Sequence, residues 1–284
     1  MFKNNALSLK KTKINTRKKI IIFTSIAAVY LIIVFIWGAL MAENAYEINY
    51  SDKFLSPSLI HPFGTDFMGR DMFFRCIKGL SNSLIIGLIA SLISSIIGLF
   101  FGISSALIGG KYDKFILLCV DIFMGLPHLV LLILISILLG RGMKGVLLGV
   151  ALTHWPELTR LVRAEVLQIR STQYVQAAYK MGKNKFQIAI HHILPHVIPV
   201  YVVGLVLLFP HAIMHESSIT FLGFGLPAET PAIGVILAEA MKHIATGKWW
   251  LALFPGILLV ITVLLFYVIG ENLKKLLNPA SAQE

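Results

Sequence analysis

LSNSLIIGLIASLISSIIGLFFGISSALI, residues 80–108, contains no charged side chain. An α-helix needs about 20 apolar residues to cross the hydrocarbon core of a bilayer, so this segment is long enough to span a membrane. Small residues recur along it every three or four positions: Gly87, Ser91, Ser94, Gly98 and Gly102. Because that spacing lines one helical face, it predicts a helix against which another helix packs closely. The alternative is that these residues are incidental, since glycine and serine are common in membrane helices.

The composition of the whole chain also indicates a membrane protein. Of its 284 residues, 57% are hydrophobic and 14% are charged, whereas soluble domains are roughly 45–50% apolar. Further apolar runs predict spans at residues 20–40, 115–140, 145–161, 196–222 and 249–270. The run at 145–161 is the shortest, and we expect its end to extend out of the bilayer as a helix. The sequence therefore predicts an all-α polytopic membrane protein with six transmembrane helices.

Lysine and arginine set the expected orientation, because these residues are retained on the cytoplasmic side. With the N-terminus inside, 17 of the 25 basic residues are cytoplasmic and eight are external. The predicted organisation is a basic cytoplasmic N-terminus (1–19), a first transmembrane helix (20–42), an external loop (43–79), a five-helix core (80–271) with a cytoplasmic loop at 157–195, and a cytoplasmic tail (272–284).

The net charge of +11 does not require nucleic acid as a partner. Basic residues at membrane edges meet anionic headgroups, so membrane lipids are the expected partners, and no basic groove interleaved with aromatic residues occurs. The sequence also lacks the G-x-x-x-x-G-K-S/T phosphate loop, the G-x-S-x-G elbow and the H-E-x-x-H zinc motif. We therefore expect no catalytic residues in this chain, and any ATPase has to be a separate subunit.

Residues 174–195, YVQAAYKMGKNKFQIAIHHILP, form a polar interruption between apolar runs. Good helix formers precede Gly182, which permits a tight turn with positive φ, and residues 185–192 can form a second short helix. Pro195 is expected to bound that second helix. Such a unit would offer a compact projection to a groove on another protein, although an ordinary connecting loop is the alternative.

This segment resembles the cytoplasmic EAA loop of permease subunits in bacterial ABC importers. The resemblance rests on Ala177 and Ala178, on Gly182 four residues after Ala178, and on Ile193, Leu194 and Pro195. The leading glutamate of the EAA triplet is replaced here by Gln176, which puts the strength of the expected contact in question.

Two other segments extend the resemblance over nearly the whole chain. The first is similar to an HPLGTD-x-x-GRD motif and comprises His61, Pro62, Gly64, Thr65, Asp66, Gly69, Arg70 and Asp71. The second runs from Thr220 through Pro231, Trp249 and Pro255 to Pro279. Both resemble the peptide/nickel class of ABC importer permeases, and the second resembles the C-type permease of such systems.

The resemblance implies a type I ABC importer permease fold in the cytoplasmic (inner) membrane of a bacterium or archaeon. It also implies a homologous second permease, two ATPase subunits that bind ATP and Mg²⁺, and an external solute-binding protein, with no cofactor in this chain. The EAA loop would couple closure of the ATPases to opening of the pathway, and the loop at 43–79 would face the binding protein or shape the external mouth.

Histidines in the predicted fifth span suggest a pathway. His211 and His215 are four residues apart and so share one helical face, and Glu216 follows them. Imidazole suits nickel and zinc, so the pair is a candidate contact for a metal or its chelate. The alternative is a structural pair hydrogen-bonded to neighbouring helices. For His128 and His154, satisfied interior histidines are the favoured interpretation.

The sequence leaves the cargo open between short peptides and nickel or another chelated metal. Two other classes of protein remain as alternatives. An ion-coupled secondary transporter should show intramembrane acids or inverted repeats, and Asp121 is the one acid placed deep in a predicted span. A membrane scaffold without transport activity has only the general features of a helical bundle to support it.

Overall fold

The structure, a computed structural model, describes residues 16–41 and 47–277. Within these ranges every secondary-structure element is a helix, which confirms the predicted all-α fold class. The predicted N-terminal region and tail lie partly outside the described residues, at 1–15 and 278–284. Residue 42 of the predicted first transmembrane helix and residues 43–46 of the predicted external loop also lie outside them.

The described chain contains eleven α-helices. They are α1 (Thr16–Leu40), α2 (Met72–Ile108), α3 (Gly110–Gly125), α4 (His128–Leu138), α5 (Met143–Thr153), α6 (Trp155–Arg170), α7 (Gln173–Lys180), α8 (Lys185–Ile188), α9 (Leu194–Phe221), α10 (Ile233–Met241) and α11 (Trp250–Leu277). A π-helical turn at Ala189–Ile193 joins α8 to α9, and short 3₁₀ turns occur at Tyr50–Asp52 and Ile244–Thr246.

Four continuous helical stretches are long and apolar enough to cross a membrane: Arg17–Leu40, Met72–Ile108, Lys185–Phe221 and Trp250–Leu277. The helices α3 and α4 form a fifth span if they are counted together, but they are bent by 99° at the break between them. The break falls at Pro127, because a residue before proline avoids the helical region, and Leu126 is extended, with φ −87° and ψ 144°.

The predicted fourth span is divided into α5, which ends at Thr153, and α6, which begins at Trp155. Pro156 lies in the first turn of α6 and has no N–H group to continue the hydrogen bonds of α5. The described structure therefore reaches the expected count of six only if the bent α3–α4 pair and the α5–α6 pair each count as one span.

Helix α2 lies at the centre of the bundle and packs against α1, α5, α6 and α9. Its stripe of small residues is buried, which confirms the predicted close packing. A Cβ atom added at Gly87 would lie 2.6 Å from Ile213 Cγ1 on α9. One added at Gly102 would lie 2.6 Å from Val162 Cγ1 on α6. Both approaches are closer than any side chain permits, so glycine sets these helix separations.

We predict that Gly102→Ala destabilises the bundle, because the new methyl group forces α2 and α6 apart and overpacking costs about 1–3 kcal/mol. The matched control is Gly256→Ala in α11, where an added Cβ meets no atom within 4 Å. That variant should be neutral or slightly more stable, since alanine is the better helix former. Thermal unfolding of the purified protein measures both, and equal midpoints would contradict the packing.

Two further features differ from the sequence predictions. Helix α2 begins at Met72 rather than Leu80, because the carboxylate of Asp71 caps it by accepting hydrogen bonds from the backbone N–H groups of Phe73 (2.8 Å) and Phe74 (3.3 Å). Helix α10 occupies the segment before the last span and was not predicted.

Pro195 does not bound the second helix of the predicted loop. It lies in the first turn of α9, and the chain is helical without interruption from Lys185 to Phe221. A proline ring conflicts with the carbonyl four residues earlier in an α-helix. The wider π-helical turn directly before α9 relieves that conflict, so the helix continues through the proline.

Candidate functional site

The predicted helix, glycine turn and helix are present as α7, a turn and α8, which together are called the α7–α8 unit (residues 173–188). Gly182 has φ +81°. Its N–H donates to the carbonyl of Tyr179 at 3.0 Å, and the N–H of Lys183 donates to the carbonyl of Ala178 at 3.2 Å. This pair of bonds is the Schellman motif, which ends a helix through a residue of left-handed conformation.

A capping box begins α8. The side-chain oxygen of Asn184 accepts a bond from the N–H of Gln187 at 2.8 Å, and Gln187 Oε1 accepts one from the N–H of Asn184 at 3.2 Å. Two backbone donors that have no partner at a helix start are thereby satisfied. The direction of the chain at the turn is therefore fixed by local bonds on both sides of Gly182.

The α7–α8 unit has one buried face and one exposed face. Val175, Ala178 and Ile188 are buried in a cluster with the α6 residues Val162 and Val166. Ile193 of the following π-turn joins the same cluster, Leu194 is half-buried and Pro195 is exposed. The buried face attaches the unit rigidly to α6.

On the exposed face, Gln176 and Ala177 are accessible, and the Gln176 side-chain amide donates to the carbonyl of Arg170 at 2.8 Å. Two apolar side chains near the turn, Met181 and Phe186, were not predicted to be functional and are 79% and 72% exposed. Their exposure gives the unit an apolar tip. Nothing in the sequence distinguishes them from buried apolar neighbours except their position beside Gly182.

Helix α6 is in turn tied to the bundle by arginines. Arg163 binds Asp113 of α3 through two bonds of 2.7 Å, and Arg170 donates to the carbonyl of Ala106 at 2.7 Å. Arg160 pairs with Asp121. Asp121 is 60% exposed, so the acid that the sequence placed deep in a span lies on an accessible face with a basic partner.

The HPFGTD motif (residues 61–66) and the following Gly69, Arg70 and Asp71 fold into a compact loop against α2, α10 and α11. Thr65 accepts a bond from the N–H of Leu55 at 2.8 Å through its hydroxyl and one from the Trp250 indole at 3.3 Å through its carbonyl. His61 Nδ1 lies 2.7 Å from Asp71 Oδ2. Gly64 and Gly69 have positive φ and lie where a side chain would collide with the carbonyls of Leu55 and Asn49.

Asp66 is the centre of a buried charge network. Its Oδ1 accepts bonds from the N–H groups of Met68 (2.8 Å) and Arg70 (3.0 Å), and its Oδ2 accepts from Arg70 Nε (2.7 Å) and Arg75 Nη1 (3.0 Å). Arg75 also pairs with Glu239 of α10 at 2.6 Å. The network joins the motif to α2 and α10, so the polar groups of the motif hold the loop together.

Only part of this loop is available to a partner. Pro62 is exposed, and Leu59 and Ile60 are 103% and 82% exposed. The motif residues Gly64, Thr65, Asp66 and Gly69 are buried. The surface that this loop offers to another protein is therefore formed mainly by the apolar residues before the motif, which were not predicted.

The histidines of the spans converge on one cavity of about 270 Å³. His211 and His215 of α9 both line it, as do His128 at the start of α4, His154 between α5 and α6, and Glu157. The ring centroids of His128 and His215 are 4.4 Å apart, and those of His128 and His154 are 4.7 Å apart. The sequence paired His215 with His211 but gave no sign that His128 and His154 join them.

Two features of the cavity differ from the expectations. The Nε2 atoms of His128 and His154 are buried without a hydrogen-bond partner among the described residues, so neither ring is fully satisfied by them. Glu216 does not line the cavity. It is fully buried on another face of α9, where its carboxylate accepts bonds from the hydroxyls of Ser217 (3.2 Å) and Thr220 (3.0 Å).

The fold and these elements define a helical protein with several membrane-spanning helices. The chain belongs to the family described as binding-protein-dependent transport system inner membrane component, which it matches over residues 79–283, so it is a transport subunit rather than an enzyme. This agrees with the predicted class of ABC importer permeases, and it argues against a secondary transporter and a scaffold.

Relatives and solved structures agree with the family. The chain is 33% identical over 240 residues to the dipeptide transport system permease protein DppC of Bacillus subtilis, covering 84% of this chain and 75% of the relative. It is 31% identical over 254 residues to the oligopeptide transport system permease protein OppC of the same organism, covering 88% and 83%. An inward-facing MetNI methionine ABC transporter shares the fold, with a TM-score of 0.61 at 20% identity, covering 73% of this chain and 98% of that one.

Proposed function

We propose that this permease subunit couples ATP-driven closure of an ATPase subunit to opening of the transport pathway through its α7–α8 unit. The observation that supports this proposal is a helix–turn–helix projection with an exposed apolar tip at Met181 and Phe186. Its buried face is packed on α6, which arginine bonds tie to α2 and α3. A displacement of the tip is therefore expected to move α6 and, through the arginine bonds, α2 and α3.

In the complete importer, this chain pairs with a homologous second permease, two ATPase subunits bind ATP and Mg²⁺, and an external binding protein delivers the cargo. The residues assigned to coupling are those of the predicted EAA loop: Gln176, Ala177, Ala178, Gly182, Ile193, Leu194 and Pro195. ATP acts as a ligand that favours one of two arrangements of the assembly, and the α7–α8 unit carries that preference into the membrane.

Cross-linking tests the docking. A cysteine at Lys183, beside the exposed turn, should cross-link to a cysteine scanned along the surface of the ATPase, in a background where Cys119 is replaced. A cysteine at exposed Glu229, in the segment between α9 and α10, is the negative control. If no ATPase position cross-links to residue 183, the α7–α8 unit is not the docking element.

Orientation gives a second test, because docking requires Lys183 to be cytoplasmic. From the excess of basic residues on that side, we predict that a reporter fused after Lys183 reports a cytoplasmic site and one inserted after Leu59 reports an external site. Leu59 is fully exposed, so an insertion there spares the buried Asp66 network. The opposite result at either position would overturn the topology.

For the cargo, two candidates are supported by different observations. The names of the relatives favour short peptides. The cavity lined by His128, His154, His211 and His215 favours nickel or another metal, bare or as a chelate. Parallel uptake of a labelled dipeptide and of radioactive nickel by cells that express the whole importer separates these two cargo classes.

A further inference from the structure

We propose that His128, His154 and His215 form a binding site for a divalent transition-metal ion, and that this ion, bare or chelated, is the cargo of the importer. This inference rests on the proposed importer function and selects between its two cargo classes. The site uses a different set of residues from the His211 and His215 pair that the sequence suggested.

The three imidazoles come from separate parts of the fold. One ring nitrogen from each of His128, His154 and His215 can be chosen so that all three lie within 4.8 Å of one another. Three nitrogens that share a zinc-like ion at about 2.0–2.1 Å would be about 3.3 Å apart. Rotations of the three rings would bring these nitrogens toward that spacing.

In His128 and His154, the buried Nε2 atom has no hydrogen-bond partner among the described residues. His154 Nδ1 is 2.8 Å from the carbonyl of Val150, which fixes Nδ1 as the protonated donor and leaves the lone pair on Nε2. A backbone carbonyl that orients the ring from its other nitrogen is the usual arrangement behind a metal-binding histidine.

An unpaired buried polar atom costs about 1–3 kcal/mol, and here the two rings that carry such atoms line the same cavity. A hydrogen-bonded structural cluster would satisfy these atoms within the protein. A metal ion satisfies them only when it is bound, which is the arrangement expected of a site that must fill and empty during transport.

The chemistry of the donors selects the class of ion. Neutral imidazole favours zinc, copper, nickel and cobalt, whereas magnesium and calcium favour oxygen ligands. Three protein ligands leave coordination positions open, as in sites that exchange a ligand. The cavity also holds Glu157 and His211 on its walls, and its volume of about 270 Å³ leaves room for waters or a small chelator beside the ion.

The place of the site in the fold agrees with a transport role. His128 follows the 99° break between α3 and α4, and His154 lies in the break between α5 and α6. Interrupted helices inside a membrane are tolerated where they line a cavity, and such interruptions form substrate sites in transporters. The cluster therefore lies between two pairs of broken helices, with the continuous helix α9 supplying its third ligand.

The test is metal binding by the purified whole importer in lipid nanodiscs without a polyhistidine tag, measured by equilibrium dialysis with radioactive Ni²⁺ and by Co²⁺ absorption. The native complex should bind one ion per copy of this chain saturably. Loss of an outer-shell partner costs about 10–100-fold in affinity, so loss of two ligands in His128→Gln/His215→Gln should cost more than about 100-fold. Glutamine keeps hydrogen-bonding capacity, which separates ligand loss from loss of packing.

The matched control is His191→Gln/His192→Gln, which removes the adjacent histidines of the π-turn, outside the cavity. It should leave Ni²⁺ binding unchanged. Absence of saturable binding in the native complex, or unchanged binding in the cavity variant, would overturn the proposal. If Ni²⁺ binds but is not taken up while a dipeptide is, the ion is not the cargo. If neither enters cells through a correctly assembled complex, the importer function itself fails.

Discussion

Replacing Asp66 with alanine is expected to destabilise the protein by about 3–5 kcal/mol, since removing one partner of a buried ion pair leaves the other charge uncompensated. The Asp66 carboxylate is 2% exposed and accepts four hydrogen bonds, two of them from arginine side chains. Arg75 is also 2% exposed, so water cannot replace the lost carboxylate. The amount of assembled protein in the membrane and its thermal midpoint measure the effect.

Two variants define the cause of that effect. Asp66→Asn keeps an oxygen for the N–H groups of Met68 and Arg70 but removes the charge, so its loss of stability should be intermediate. Glu229→Ala removes an exposed carboxylate and should change the midpoint little. If Asp66→Ala were as stable as Glu229→Ala, the network would not hold the loop to α2 and α10.

Replacing Gly182 with valine should greatly reduce ATP-driven uptake while membrane insertion stays near normal. An added Cβ at Gly182 meets no atom within 4 Å, so the substitution creates no clash. Its cost comes from the φ of +81°, which disfavours most residues with a Cβ by about 1–2 kcal/mol and a β-branched residue more. The turn should open, and the apolar tip at Met181 and Phe186 should lose its fixed direction.

Gly182→Asn is the matched control, because asparagine tolerates the left-handed conformation and should retain most uptake. The measurements are uptake and ATPase activity of equal amounts of assembled complex. ATP hydrolysis that continues without uptake would identify a coupling defect. Normal uptake by the valine variant would show that the geometry of this turn is not needed for transport.

Features encoded by neighbouring residues were predictable from the sequence. The uncharged run at 80–108 predicts a membrane-spanning helix, and its small residues predict the close approach of another helix. The structure shows that α6 and α9 make that approach. The turn at Gly182 follows from good helix formers on either side of a glycine. In each case the cause acts over a few residues, through helical periodicity or a local backbone bond.

The same reasoning failed where local preferences compete with tertiary contacts. Pro195 was expected to end a helix, but a π-helical turn lets the chain continue. The uncharged run from Leu80 onward belongs to a helix that already begins at Met72, because Asp71 caps it there. Each difference arises from a local hydrogen bond of the backbone, and the pattern of apolar residues does not predict such a bond.

The amino-acid sequence by itself determined that this protein is helical, membrane-spanning and equipped with a helix–glycine–helix projection, because burial of apolar runs and satisfaction of backbone bonds are local demands. The tertiary structure alone decided that Asp66 meets Glu239 through Arg75, and that His128, His154 and His215 share one cavity while Glu216 does not. These contacts join residues that are far apart in the sequence. They depend on how helix faces pack and where helices break, so they cannot be predicted from residue spacing.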